Sequence, residues 1–332
     1  MKIVLENSVY SFFLYLLIDN NWEQSIFILD EPLYDKICKK MGKIKIYKYR
    51  DLSYKKHLIL FYIEKFKLFF YLLKMRILGN SNYCLYGEDM MMPYFYKKRK
   101  TYLIEDGTWS YKIREEEKTF LKRLKRVIRL ENPFYNFSGE DKSVEKVYLT
   151  GLGEIPVSIK EKVEIVDLKK LWDEKTIEER NKILNFFDIN LEKLKRIKSK
   201  KYLLLTQPLS EDGTLSEKEK IEIYSEILSN YDLKDIVIKV HPREKLNYRN
   251  IFPEVEILDE YFPVELFKIF NIEPEKVITI FSSAVFGIAK RENIDFYGTE
   301  INEKILKKFG SMDHIMVRNK FLIKKMSEKN EE

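Results

Sequence analysis

The chain has 332 residues, 45% of them apolar, with a formal charge of +7. That length exceeds one ordinary core and that apolar fraction excludes a disordered chain, so two globular domains are expected. The Lys-rich, Ala-poor composition reads as coding bias; the basic balance is therefore discounted as a sign of nucleic-acid binding, although it suits an anionic membrane surface or a phosphorylated substrate.

In chain order, strands are predicted at 2–5, 25–29, 43–47, 83–86 and 101–104, with helices at 8–18, 32–41, 58–77 and 113–129. The second half predicts strands at 146–149, 163–166, 202–206, 235–240, 254–258, 276–280 and 293–297. Helices are expected there at 168–172, 176–185, 190–198, 215–230, 263–271, 283–290 and 301–309. Strand–helix alternation of this kind implies parallel sheets covered by helices. It falls into two blocks separated within 131–200, a stretch that includes the mostly polar run 136–142. The expected architecture is two Rossmann-like domains facing a cleft, with a frayed tail over 327–332.

Two apolar stretches need placing. Residues 9–18 are too short to cross a membrane, and 58–73 are interrupted by Glu64, Lys65 and Lys67. Both are expected as core helices, with contact of one of them to a membrane surface as the alternative. The first acid, Glu6, comes too early for a signal peptide. Cys38 and Cys84 offer no metal-ligand spacing and point to a reducing compartment or indifference to redox.

The run Ile236-Val237-Ile238-Lys239-Val240-His241-Pro242 carries the most chemistry. A buried strand ends abruptly in His-Pro, because the residue before proline is driven toward extended geometry. In open parallel sheets that end of the strand is where ligands bind. Lys239 and His241, two apart on extended backbone, share a face, and a cation with an imidazole suits a phosphate. A satisfied loop histidine and a solvated lysine are the plain alternative.

A second strand runs into Ser282-Ser283 and then a helical pattern, which suits either helix capping or an anion. A third ends in Glu105-Asp106-Gly107, where the glycine permits a tight turn and one of the two acids is expected to face a ligand. Capping by Asp106 is the competing reading there, and the same triplet recurs at Glu211-Asp212-Gly213. Glu265, just after Pro263, is placed in the first turn of a helix, where it could accept from ribose hydroxyls or simply favour the helix dipole. No G-x-G-x-x-G, Walker loop, H-E-x-x-H, paired C-x-x-C or D-x-D pattern occurs. Phosphate handling by Lys, His, Ser and helix dipoles, without a metal, is the expectation.

Taken in order, Glu105-Asp106-Gly107, Lys239-Val240-His241-Pro242 and Ser282-Ser283 resemble the motifs of bacterial sialyltransferases. Over about residues 80–300 the chain is similar to the lipooligosaccharide sialyltransferases of glycosyltransferase family fifty-two, with bacterial polysialyltransferases as near relatives. It departs from that pattern after the first strand, carrying Glu6-Asn7-Ser8 where a Thr-Pro pair is often found. The resemblance implies an α/β fold of GT-B type. Residues 1–150 would form an acceptor-side domain with the general base, and 151–326 a domain that binds CMP-sialic acid.

It further implies inverting transfer of sialic acid, with α2,3 linkage expected, to a terminal galactose of a lipooligosaccharide or similar surface glycan. No cofactor and no metal are implied. By position, Asp106 looks like the base and His241 like the group that donates to the departing CMP phosphate. Lys239, Pro242, Glu265, Ser282 and Ser283 look like donor ligands, with Glu105 and Gly107 as secondary positions. A polysialyltransferase or another GT-B enzyme with a different acceptor is the first alternative, and a basic membrane-surface or nucleic-acid binder the distant one. The enzyme reading expects no nucleic-acid partner and a cytoplasmic location. It is compatible with peripheral attachment to the inner face of the cytoplasmic membrane and with a homodimer.

Overall fold

The computed structural model describes residues 1–50, 57–75, 83–87, 100–111, 120–128 and 139–312. The expected tail at 327–332, residues 76–77 of the predicted third helix, residues 113–119 and 129 of the predicted fourth and residues 136–138 of the polar run lie outside the described residues. The chain divides into two compact units, Met1–Phe187 and Asp188 onward.

The first unit holds strands β1 (Lys2–Glu6), β2 (Ile26–Asp30), β3 (Lys45–Tyr49), β4 (Cys84–Gly87), β5 (Thr101–Ile104), β6 (Val144–Leu149) and β7 (Val163–Ile165). They form one sheet in the order β3-β2-β1-β4-β5-β6-β7, and every neighbouring pair is parallel. Its helices are α1 (Val9–Ile18), α2 (Glu31–Ile37), α3 (Leu58–Lys74), α4 (Phe120–Ile128), α5 (Leu168–Glu174) and α6 (Ile177–Phe186).

The second unit holds helices α7 (Leu191–Ile197), α8 (Glu217–Leu228), α9 (Tyr248–Ile251), α10 (Leu266–Ile269), α11 (Val285–Ile288) and α12 (Glu303–Phe309). Its strands β8 (Tyr202–Leu205), β9 (Ile236–Lys239), β10 (Glu256–Leu258), β11 (Lys276–Thr279) and β12 (Ile294–Phe296) form a parallel sheet in the order β10-β9-β8-β11-β12. The α/β class with two parallel sheets is therefore as expected.

Local chemistry starts the helices. Ser8 caps α1 by accepting from the Ser11 N–H, and Asp30 does the same for α2 through Leu33. Thr176 with Glu179 and Ser216 with Glu219 form reciprocal capping boxes at α6 and α8, each satisfying backbone donors that a helix start leaves open.

One expectation is corrected. The first unit ends at Phe187, not at 150. The reason is packing: β7 adds to the edge of β6, and the end of α6 returns to α1. Phe12 meets Phe186 and Phe187 edge-on at 6.5 and 6.1 Å, and Trp22 meets Phe186 at 5.3 Å. The two apolar stretches both form helices that pack into the core, to different extents. In α1 the residues from Tyr10 to Leu17 are all buried, as a core helix requires. In α3 only Phe61, Lys65, Leu68 and Leu72 are buried, and its other face is open. No described helix is long and apolar enough to cross a membrane.

Each sheet has one point where the strand order reverses, and ligands in open parallel sheets gather at the carboxyl ends there. In the first unit it lies between β1 and β4; in the second it lies between β8 and β11. Gly87 ends β4 with φ +126°, and a Cβ there would stand 1.9 Å from the Leu5 carbonyl oxygen. Only glycine lets the two strand ends approach this closely.

Candidate active site

Beyond β5 the two acids take opposite directions, as adjacent side chains on extended backbone must. Glu105 is fully buried. Its Oε1 accepts from the Tyr10 hydroxyl at 2.8 Å and the Thr150 hydroxyl at 2.7 Å. Its Oε2 accepts from the Tyr111 hydroxyl at 2.6 Å and the Thr150 N–H at 2.7 Å. Four donors tie the ends of β5 and β6 together through this carboxylate. Burial, with the Glu105 charge next, pushes the Tyr111 phenol well above its ordinary range, so it stays a donor.

Asp106 is half-buried. Its N–H donates to Ser110 Oγ at 2.8 Å, and among the described residues its carboxylate has no hydrogen-bond partner. Asp106 therefore does not cap the turn that follows. Gly107 takes φ 71°, the left-handed turn its identity suggested.

In the second unit, His241 follows β9. Its N–H donates to Thr206 Oγ1 at 3.2 Å, and its Nδ1 accepts from the Arg243 N–H at 3.2 Å. An Nδ1 used as an acceptor leaves the proton of the neutral ring on Nε2. Burial lowers the imidazole pKa to about 4, helped by the nearby cations Arg243, Lys239 and Lys220. His241 is thus a neutral ring with Nε2–H as its donor. Pro242 follows it half-buried, in a turn closed by the Glu244 N–H on the His241 carbonyl at 2.9 Å.

Lys239 shares this strand end but faces inward. Its ammonium donates to the carbonyls of Glu260 at 2.9 Å and Val240 at 3.2 Å, and it lies 4.5 Å from the centre of the Phe262 ring. Burial lowers its pKa to about 8. The arrangement makes Lys239 a tether for the segment after β10. Glu265 is buried and forms the N-cap position of α10, with no side-chain capping bond. The helix starts at Leu266, three residues after Pro263, because the chain from Pro263 to Glu265 turns before it.

Beyond β11, Ser282 and Ser283 are half-buried. Neither caps α11: Ala284 takes the N-cap position with no side-chain bond. The Ser282 N–H donates to Thr279 Oγ1 at 3.0 Å, and among the described residues neither serine hydroxyl has a hydrogen-bond partner. Both remain able to bind an oxyanion.

Thr206 and Gln207, past β8, escaped the sequence reading. Both are buried. Gln207 Oε1 accepts from the Phe281 N–H at 3.1 Å, joining the loop after β8 to the serine loop, while Thr206 joins it to His241. The signal was present: Gln207-Pro208 repeats the strand-then-proline pattern that singled out His241-Pro242. Glu6, buried at the end of β1 beside the other reversal point, is a second missed position.

The repeated triplet lies close by in sequence and space. Glu211 Oε2 meets the buried ammonium of Lys220 at 3.0 Å, and Glu244 Oε2 lies 2.9 Å from the same ammonium. Asp212 pairs with Arg243 at 2.9 Å. Among the described residues no three His, Cys, Asp or Glu side chains converge as metal ligands.

The model for glycosyltransferase family 52 matches residues 14–305. An uncharacterized protein of Haemophilus influenzae is 40% identical over 247 residues, which is 74% of this chain and 78% of that protein. Among solved structures, an α/β-galactoside α-2,3-sialyltransferase of Photobacterium phosphoreum matches with a TM-score of 0.55 at 14% identity, covering 92% of this chain and 94% of that one. The GT-B domain of a Photobacterium damselae sialyltransferase matches with 0.54 at 11% identity, covering 96% and 98%. A 2,6-sialyltransferase of Photobacterium sp. JT-ISH-224, solved with CMP and lactose, matches with 0.53 at 12% identity, covering 88% and 70%. The fold is of the GT-B type.

Proposed function

The chain belongs to glycosyltransferase family 52, and on that premise we propose that it is an inverting, metal-independent sialyltransferase. The donor is CMP-sialic acid and the acceptor a terminal galactose of a lipooligosaccharide or similar surface glycan, with α2,3 linkage. The observation that carries this reading is the set of free donors at the strand ends of the second unit. His241 Nε2–H and the hydroxyls of Ser282 and Ser283 are positioned by Thr206, Gln207 and Thr279, and among the described residues none of them has a hydrogen-bond acceptor. Such a set suits a phosphate that gains charge as its bond to the sugar breaks. The fold-level likeness to sialyltransferases, one solved with CMP and lactose, supports the choice of donor.

In this mechanism the phosphate of CMP sits on the serine hydroxyls and His241. The bond from the anomeric carbon to the phosphate oxygen breaks with its electron pair going to phosphate, and His241 Nε2–H stabilises the oxygen that departs. A neutral imidazole does this by hydrogen bonding, and CMP is already a good leaving group, so full proton transfer is not required. Asp106 takes the proton of the acceptor hydroxyl, which attacks the opposite face of the sugar and inverts it. General-base help of this kind is worth about 10²–10⁴-fold. Glu265 serves the ribose hydroxyls, Lys239 and Pro242 set the shape of the donor loops, and Glu105 with Gly107 aims Asp106.

Incubation with CMP-sialic acid and lactose should release CMP and form one sialylated product, at a rate unchanged by EDTA. No release with any galactoside or sialoside overturns the reading. A ladder of products on a sialylated primer makes the enzyme a polysialyltransferase instead. A second candidate base stands near the same turn: Asp212 adjoins His241 through Arg243, whose N–H holds the ring, although that ion pair makes it the weaker base. Parallel assays of Asp106→Ala and Asp212→Asn decide between them.

A further inference from the structure

Beneath the His-Pro turn of the second unit lies a charge that the transfer reaction does not touch. Lys220, near the start of α8, is fully enclosed. Its ammonium lies 2.9 Å from Glu244 Oε2 and 3.0 Å from Glu211 Oε2, and it donates to Ser210 Oγ at 3.3 Å. The Glu244 side chain is equally enclosed, and the same Oε2 accepts from the Tyr248 hydroxyl at 2.6 Å. Stability does not account for this cluster. A cation near the start of a helix meets the positive end of its dipole, and apolar side chains of the same shape commonly match or better a buried ion pair. Burial raises the Glu244 carboxyl above its ordinary value, although Lys220 and the Tyr248 hydroxyl act the other way. The site therefore opposes the charge it encloses.

What the cluster joins is the loop after β8 and the turn that carries His241. Glu211 comes from the loop, and its Oε1 also accepts from the Lys245 N–H at 2.8 Å. Glu244 comes from the turn, and its N–H donates to the His241 carbonyl at 2.9 Å. Held at both anchors, the turn sets the Arg243 N–H 3.2 Å from His241 Nδ1. We propose that Lys220 is a positioning residue for His241: by clamping Glu211 to Glu244 it holds the turn so that the ring keeps Nδ1 as acceptor and presents Nε2–H. That this donor faces a departing phosphate rests on the sialyltransferase reading; the clamp on the ring does not.

Two variants separate positioning from stability. Lys220→Met keeps the volume and removes the charge, but it leaves two carboxylates without their cation, so it should lower both the melting temperature and the activity. Adding Glu244→Gln removes one stranded charge and keeps an acceptor for Tyr248. This double variant should return to within about 4 °C of the wild-type melting temperature. Its kcat should stay down about ten-fold, with CMP affinity changed by under about three-fold. In a His241→Ala background the same double change should alter kcat by under about two-fold, because an effect that acts through His241 is lost with it. Nitrogen NMR at about pH 8, above the ordinary imidazole pKa, reads the ring without substrate. Wild type should show one tautomer with the proton on Nε2, and the double variant a mixture of both. A wild-type kcat or a wild-type tautomer in the stable double variant overturns the proposal, as does a loss of kcat that adds in full to that of His241→Ala. If wild-type protein releases no CMP from CMP-sialic acid, the sialyltransferase reading falls, and the NMR comparison alone decides for or against the clamp.

Discussion

The same three residues, Glu-Asp-Gly, stand after β5 at 105–107 and after β8 at 211–213, and the two copies fold alike. In each the glutamate turns inward onto hydrogen-bond donors. In each the glycine takes a left-handed conformation, φ 71° and 66°. The aspartates part company. Asp106 has no donor on its carboxylate among the described residues, whereas Asp212 is neutralised by Arg243. Three residues thus determine a turn and the direction of each side chain. What the outward carboxylate does is decided by the neighbours the fold brings to it, and a carboxylate without a cation keeps its capacity to take a proton.

The largest effect that tests this contrast is Asp106→Ala. Transfer should fall about 10²–10⁴-fold, with CMP binding retained in calorimetry. Next is Glu105→Ala, which strands the hydroxyls of Tyr10, Tyr111 and Thr150. It should cost about 3 kcal/mol of stability, read as a lower denaturant midpoint.

Glu211→Ala removes one partner of a buried lysine that keeps Glu244, and should cost about 2 kcal/mol. Burial opposes the charge of Glu211, but the Lys245 N–H and Lys220 outweigh it and hold the pKa at about 2. Its contribution is therefore full above the unfolded carboxylate value and is lost as pH falls toward 2. Wild type should lose more stability than Glu211→Ala between about pH 5 and pH 2.

Asp212→Asn breaks an exposed ion pair. It should cost under about 0.5 kcal/mol and leave transfer within about three-fold. Loss of transfer there, with Asp106→Ala active, reverses the assignment of the base. The smallest expected effect is that of pH on His241. A neutral donor is gained as pH rises through about 4, so kcat/KM should show no alkaline fall from this group near pH 6.5. Nitrogen NMR, in a chain with three histidines, should show the His241 ring neutral and protonated on Nε2 at about pH 6. An imidazolium there would make it a proton donor in the full sense.

The strands were legible because each is a short apolar run bounded by turn residues, and the motifs because each closes such a run. The His-Pro step marked the end of β9, and Gly107 marked its turn. Other features were not legible for identifiable reasons. The serines looked like helix caps, but α11 starts at Val285 behind Ala284. Lys239 and His241 share a strand end, but the lysine finds carbonyls of Glu260 and Val240 that lie elsewhere in the chain or just beyond it. The unit boundary moved to Phe187 because aromatic contacts with Phe12 and Trp22 join residues 164 to 175 apart.

What the sequence by itself determined is local. It set the order of strands and helices, the parallel α/β class, and the strand ends where His241, Asp106 and Ser282 stand, since each depends on periodicity or backbone preference within a few residues. Only the tertiary structure decided which acid of Glu105 and Asp106 is spent on the fold, which nitrogen of His241 carries the proton, and which of two apolar helices is buried on all sides. Those outcomes depend on donors, acceptors and apolar surface supplied from distant segments, and an apolar stripe reads the same in sequence whether or not anything covers it.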